Sequence, residues 1–293
     1  MKKAVFSAVL WNFVLLISSI QSGFAANTTN FDLWNGLIER LSGVGIERSY
    51  LESIYSRREV EFEPRTMPRK LLHKERPFDY KKFYSPERIE RAVKFIKKNH
   101  ALLNEIENKY GVPSTLKTAI LLVETDLGRY TGPYRIINVL SSMAISSDIS
   151  RISPWLPKEI VDDTSALARY KKKAKKKADW AFGELKAFFT YCRANKIDPV
   201  EIKGSPFGAF GLCQFVPSSV LRFGVDYDRD GRIDLFTLGD ALASMANYLV
   251  KNGWHSGISK DKAFRCILTY NRSRPYAKTI LEVASILEKR LDQ

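Results

Sequence analysis

Residues 114–125, STLKTAILLVET, are apolar on nearly every side of the helix they would form. A helix without a polar face has to lie inside the molecule, so the rest of the chain must wrap around it. Gly111 and Pro113 break the pattern before it, and the segment runs through Glu124 to a turn at Gly128 in ILLVETDLGRY. A carboxylate in such a setting is costly unless it is paired or keeps its proton. Taken alone, Glu124 fits two readings, a solvated helix end or a general acid.

The surrounding pattern is mostly helical. Phe31, Trp34, Leu37 or Ile38, and Leu41 share one face, which Gly43 and Gly45 end. Residues 56–80 are charged and carry prolines at 64, 68 and 77, reading as an extended connector. Ser85 as N-cap and Pro86 at the first helical position then open one amphipathic helix. Ile89, Val93, Ile96, Leu103, Ile106 and Tyr110 line its apolar face. Strand-like alternation is scarce, so any sheet should be small and near residues 200–236, and no internal repeat is evident. The fold class that follows is mainly α (α+β).

Charge and cysteines narrow the function classes. Lys2 and Lys3 precede an apolar run, Ala4 to Ile20, and Gly23 and Ala25 supply small residues for cleavage. Residues 1–25 therefore read as a signal peptide cut after Ala25, with no cysteine at the cut to take a lipid anchor. Removing Lys2 and Lys3 takes the formal net charge from +15 to +13, which steers an exported chain towards anionic surfaces. RYKKKAKKKADW holds much of it, from Arg169 to Lys177, in a lysine-rich stretch at about 148–180. This reads as a solvated, partly helical insertion or as a patch that holds the protein on an anionic wall or membrane surface. No helix-turn-helix or aromatic RNA-binding motif supports nucleic acid as a partner. Cys192, Cys213 and Cys266 would allow one disulfide in an exported chain, with a spacing that does not say which. No CxxC pair occurs and the three histidines are scattered, which leaves zinc and Ser-His-Asp chemistries little support.

Two further segments carry unusual residue types. GSPFGAFGLCQFVPSS, residues 204–219, places Gln214 between apolar residues, where a side-chain amide must find partners. Its glycines allow tight turns or close approach of the backbone to a ligand, and Pro217 and Ser218 open a helix. DYDRDGRIDLFTLGD reproduces the opening of an EF-hand loop with Asp226, Asp228, Asp230 and Gly231, and with the Arg232 carbonyl next. Thr237 stands where that loop has its closing glutamate, and Asp240 is the next acid. Asp240 could close a longer calcium loop, cap the helix that ends at Gly253, or do both.

In this order and spacing, YGVPSTLKTAILLVETDLGRYTG, GAFGLCQFVPSSVLRFGVDYDRDGRIDLF, ANYLVKNGW and LTYNRSRPYA resemble the lytic murein transglycosylase B family, glycoside hydrolase family 103. The resemblance covers roughly residues 80–290, with the lysine-rich stretch as its main gap. It implies a lysozyme-like helical catalytic domain over 81–290, following an N-terminal segment over 26–80. A core segment at about 200–240 would carry a small sheet and a structural calcium loop. It further implies an exported, periplasmic or wall-associated enzyme that cuts peptidoglycan glycan strands and leaves 1,6-anhydromuramic acid ends; the chain itself reads as a monomer. The family's catalytic glutamate falls on Glu124. Its substrate-binding positions fall on Ser205, Gln214, Tyr248, Tyr270, Asn271 and Tyr276, and its calcium ligands on Asp226, Asp228, Asp230, Arg232 and Asp240. The rival readings are a muramidase that uses water and a non-catalytic wall-binding scaffold.

Overall fold

The computed structural model describes residues 30–72 and 80–293. The expected signal peptide lies outside the described residues. The chain opens with α1 (Asn30–Ser42), α2 (Arg48–Tyr55) and α3 (Thr66–Leu72), followed by α4 (Pro86–Lys98), α5 (His100–Tyr110) and α6 (Ser114–Thr125). A short strand β1 (Tyr134–Arg135) leads into α7 (Ile136–Ile145), α8 (Lys158–Val161) and the long α9 (Thr164–Ala194). After β2 (Lys203–Gly204) come α10 (Pro217–Phe223), α11 (Leu238–Lys251), α12 (Lys260–Tyr270) and α13 (Arg274–Leu291). The mainly helical class expected from periodicity is what the structure has.

The apolar segment forms α6, and ten of its side chains from Ser114 to Thr125 are buried. Helices α4, α5, α11 and α13 pack around it. One hydrophobic cluster runs from Trp34 in α1 to Leu287 in α13, so the N-terminal segment shares the core of the rest. Lys117 is fully buried within α6, with its ammonium donating to the Val112 carbonyl at 2.5 Å. Burial lowers that lysine to about 8, with Glu107 acting in the opposite sense.

Several local expectations need correction. The stretch read as an extended connector contains α3, which buries Thr66, Met67 and Pro68. Pro68 lies in the first turn, where a missing N–H removes no helical hydrogen bond. The single helix expected from Ser85 onward is two, α4 and α5, separated at Asn99. Ser85 and Pro86 open the first of them as expected. The sheet is two-stranded and antiparallel, pairing Tyr134 with Gly204 and Arg135 with Lys203. Its first strand lies well before the region expected, because a two-residue strand carries no alternation to read. All three cysteines are free and buried.

The lysine-rich stretch is also not a segment that ends near residue 180. Its basic half is the opening of α9, which continues unbroken to Ala194. Tyr170, Ala174, Ala178, Ala181, Leu185 and Phe188 form a buried stripe along it, while most of the lysines face outward. Small alanines let the helix sit close to α7 despite the charge on its other side.

Helix α9 also places α10. The buried Glu184 carboxylate accepts hydrogen bonds from the Ser218 backbone N–H at 2.9 Å and its hydroxyl at 2.8 Å. It thereby serves the exposed donors of a helix start from a neighbouring element. Replacing Glu184 with Ala should lower stability by about 2 kcal/mol in urea denaturation, the range for orphaned buried donors. A loss within measurement error would show that this cap does not hold α10.

Candidate active site

Helix α6 delivers Glu124 to the surface of the core and then stops abruptly. Asp126 (φ 51°), Leu127 (φ 63°) and Gly128 (φ 86°) are left-handed in succession. The Leu127 N–H reaches back to the Leu121 carbonyl at 3.0 Å, a Schellman-type ending that satisfies the last turn. This reversal directs neighbouring acids in different directions. Asp126 meets Arg91 at 2.8 Å, Arg129 at 3.5 Å and Arg88 at 3.7 Å, whereas Glu124 meets the Tyr276 hydroxyl.

Glu124 is partly buried, and its Oε1 accepts a hydrogen bond from the Tyr276 hydroxyl at 2.6 Å. Desolvation pushes its carboxyl up from 4.5 to about 7, and the Tyr276 hydrogen bond offsets only part of that. Among the described residues no second carboxylate contributes to the shift. Tyr276 opens α13, while Tyr270 ends α12 and donates to the Cys213 carbonyl at 2.5 Å. Tyr248 in α11 donates to the Thr269 carbonyl at 2.6 Å, and its ring meets that of Tyr270 edge-on at 5.1 Å. Phe215 packs against both rings at 5.5 and 5.7 Å. Asn271 is exposed at the junction of α12 and α13. The Tyr248, Tyr270 and Tyr276 positions are thus brought to one wall beside Glu124.

The Gly-rich segment makes the opposing part. A Cβ on Gly204 would lie 2.1 Å from the Ala209 carbonyl oxygen, so only glycine permits the tight turn that follows. Ser205 Oγ fixes that turn by accepting the N–H groups of Phe207 at 3.3 Å and Ala209 at 3.1 Å. Gln214 holds an uncommon left-handed backbone (φ 50°), and its amide nitrogen donates to the carbonyls of Thr131 and Gly211, both at 3.0 Å. Those contacts use the amide hydrogens and leave the carbonyl oxygen as the atom to offer a ligand. Thr125 joins the two parts, since its hydroxyl donates to the Leu212 carbonyl at 3.0 Å and accepts the Gly128 N–H at 3.1 Å. Thr125, Phe215, Arg88 and Arg91 were not singled out from the sequence. A threonine at a helix end and arginines on a charged helix face carry no distinguishing pattern.

The acidic loop lies against the same segment. Asp226, Asp228 and Asp240 each bring a carboxylate oxygen within 4.8 Å of the others. Asp230 stays outside this group, accepting the Arg232 N–H at 2.8 Å. Asp226 Oδ2 accepts the Gly231 N–H at 2.9 Å, while its buried Oδ1 has no hydrogen-bond partner. Asp240 is not the cap of α11; Thr237 holds that position, and Asp240 lies inside the first turn. Its two oxygens instead accept the N–H groups of Tyr227 at 2.8 Å and Asp234 at 2.7 Å, pinning both sides of the loop. The loop meets the Gly-rich segment where the Leu212 N–H donates to the Leu235 carbonyl at 2.8 Å.

Known proteins resemble this chain in sequence and in fold. Membrane-bound lytic murein transglycosylase B of Escherichia coli (strain K12) is 32% identical over 177 residues, 60% of this chain. The chain spans 42% of that relative's length. The structure of E. coli lytic transglycosylase Slt35 in complex with calcium superposes with a TM-score of 0.71 at 23% identity, covering 90% of this chain and 95% of the other. SltB3 of Pseudomonas aeruginosa in complex with NAG-NAM-pentapeptide gives 0.69 at 19% identity, covering 88% and 79%. Residues 31–263 match the transglycosylase SLT domain, and the chain belongs to that family.

Proposed function

We propose that this chain is a lytic transglycosylase that cleaves the bond between N-acetylmuramic acid and N-acetylglucosamine in peptidoglycan, with Glu124 as the sole acid and base. The observation that carries this reading is the desolvated Glu124 carboxyl, raised to about 7, with Asp126 turned away into arginines. A retaining glycosidase that uses a protein nucleophile needs a second carboxylate about 5 Å away. Protonated Glu124 gives its proton to the glycosidic oxygen, and the bonding pair leaves with the N-acetylglucosamine hydroxyl. The substrate's own acetamido oxygen bonds to the anomeric carbon in its place. Glu124, now a carboxylate, takes the proton of the muramic C6 hydroxyl. The C6 oxygen displaces the acetamido group and closes the 1,6-anhydro ring without consuming water.

The remaining site residues take supporting roles in this proposal. Tyr276 stabilises the ionised form of Glu124 between the two proton transfers. Tyr270 and Asn271 orient the acetamido group, while Tyr248, Ser205 and the Gln214 carbonyl oxygen hold the sugars. Export to the periplasm or cell wall fits a substrate found there, and no helix among the described residues is long and apolar enough to cross a membrane. The outward lysines of α9 supply the electrostatic contact with an anionic wall or membrane surface.

The acidic loop fits a structural calcium ion. The buried, unpartnered Asp226 Oδ1 needs a positive partner, and Asp240 is raised by burial, with Asp228 and Asp226 adding repulsion. Asp226, Asp228 and Asp240 would hold the ion, with Asp230 and the Arg232 carbonyl as further oxygen donors. Bound calcium would offset the repulsion and stiffen the loop on which Leu212 hangs.

Two outcomes test this reading. Glu124→Gln should abolish turnover of purified sacculi while leaving the circular dichroism spectrum intact. The native protein should release muropeptides lighter by one water than hydrolysed ones. Hydrolysed ends would instead identify a muramidase, and an active variant would remove Glu124 from the chemistry.

The titration of Glu124 has a defined sign. Its proton is held more tightly in the folded state, so stability is complete below about pH 4.5 and declines as pH rises towards 7. Glu124→Gln should therefore exceed the native protein in stability at pH 8 by roughly 3 kcal/mol and lose that advantage near pH 4. Native turnover should fall above about pH 7 as the acid form disappears. Parallel urea midpoints for the two proteins across this range would contradict the assignment.

For the loop, calcium at about 100 times its Kd should add ~2.7 kcal/mol of stability. Thermal denaturation with calcium or a chelator reads this effect, and Asp226→Asn should remove most of it. Equal melting temperatures under both conditions would rule the ion out.

A further inference from the structure

A cationic cluster that the chemistry above does not use lies beside the Gly-rich turn. Two residues beyond Ser205, the ring of Phe207 lies 4.1 Å from the ammonium of Lys70 in α3. The ring of Trp180 in α9 lies 5.7 Å from both Lys70 and Lys177. Phe207 is fixed in the substrate-side turn, because its N–H donates to Ser205 Oγ. Two cations therefore share one aromatic platform at the edge of the Gly-rich segment.

Neither ammonium is neutralised by a carboxylate among the described residues. The nearby Asp179 pairs with Lys175 at 3.5 Å instead. Burial lowers Lys70 to about 8, and Lys177 pushes in the same direction. Like charges gathered on a half-buried surface repel unless an anion sits between them. The aromatic faces hold Lys70 by cation–π contact while leaving its N–H donors available to a ligand. A chain that needed these lysines only for solubility would leave them in water, as it does along the rest of α9.

We propose that Lys70 and Lys177, seated on Phe207 and Trp180, form a subsite for a carboxylate of the peptide stem that muramic acid carries. This rests on the reading of peptidoglycan as substrate, and it deepens that reading by naming the part of the strand beyond the sugars. The position is suitable because Ser205, on the same turn, faces the saccharide in the proposed site. An ammonium pair with aromatic sides accepts a carboxylate as a charge-assisted hydrogen bond and covers the apolar side chains beside it.

Isothermal titration tests the subsite, using a peptide-bearing disaccharide and the same disaccharide without peptide. The disaccharide joins N-acetylglucosamine to N-acetylmuramic acid through the bond that the proposed reaction leaves intact. The native protein should bind the peptide-bearing form roughly tenfold tighter. The Lys70→Gln/Lys177→Gln double variant should bring that ratio below about twofold, whereas Lys70→Arg should keep most of it. Circular dichroism checks that the variants are folded, and added salt should weaken the native preference. A native ratio near one, or a ratio untouched by the double substitution, would overturn the proposal. Full displacement by free glutamate at the same concentration would also overturn it, by showing a general carboxylate site. Absence of anhydro products with this binding pattern intact would instead reject the reaction and keep the subsite.

Discussion

Desolvation of one carboxyl group organises much of this structure. Glu124 comes at the end of a helix enclosed by four others, so its environment is set by the core itself and not by a neighbouring charge. The enclosing helices serve two ends at once. They bury the apolar sides of α6, and two of them, α11 and α13, contribute Tyr248 and Tyr276 to the wall beside it. The abrupt left-handed turn after Thr125 then ends the helix just beyond the carboxyl.

The second half of the site depends on backbone geometry more than on side chains. Gly204 accommodates a carbonyl where any Cβ would collide, and Gln214 is held in a left-handed conformation that its amide bonds to Thr131 and Gly211 stabilise. Local strain of this kind persists where surrounding contacts over-determine it, as they do here. The acidic loop supports the segment from below through Leu235, and Asn195 of the α9 C-cap accepts the Ile233 N–H at 2.5 Å. These hydrogen bonds therefore tie the loop, the Gly-rich segment and α9 together.

Charge is distributed with a similar division of roles. Three arginines surround Asp126, two residues from Glu124, and offset its charge. The lysines of α9 lie mostly on its solvent side, whereas Lys70 and Lys177 are drawn onto the aromatic rings of Phe207 and Trp180. Helix α9 thus connects a basic outer surface, a core stripe of alanines and phenylalanines, and the cap of α10.

The sequence by itself determined the helical class, the burial of α6 and the residue types of the site. Those follow from periodicity and from the cost of burying polar groups, which are local properties. It also contained Ser85, Pro86, Pro217 and the Asp226–Gly231 pattern, whose turn and capping preferences act over a few residues. Only the tertiary structure decided that Asp126 faces Arg88 and Arg91, that Thr125 joins Leu212, and that Asp240 pins a loop without capping α11. It also decided that the lysine-rich stretch is the opening of a core helix and that residues 66–72 are helical. Each of these depends on partners far away in the chain, and hydrogen bonds and burial between distant segments leave no periodic trace in either one.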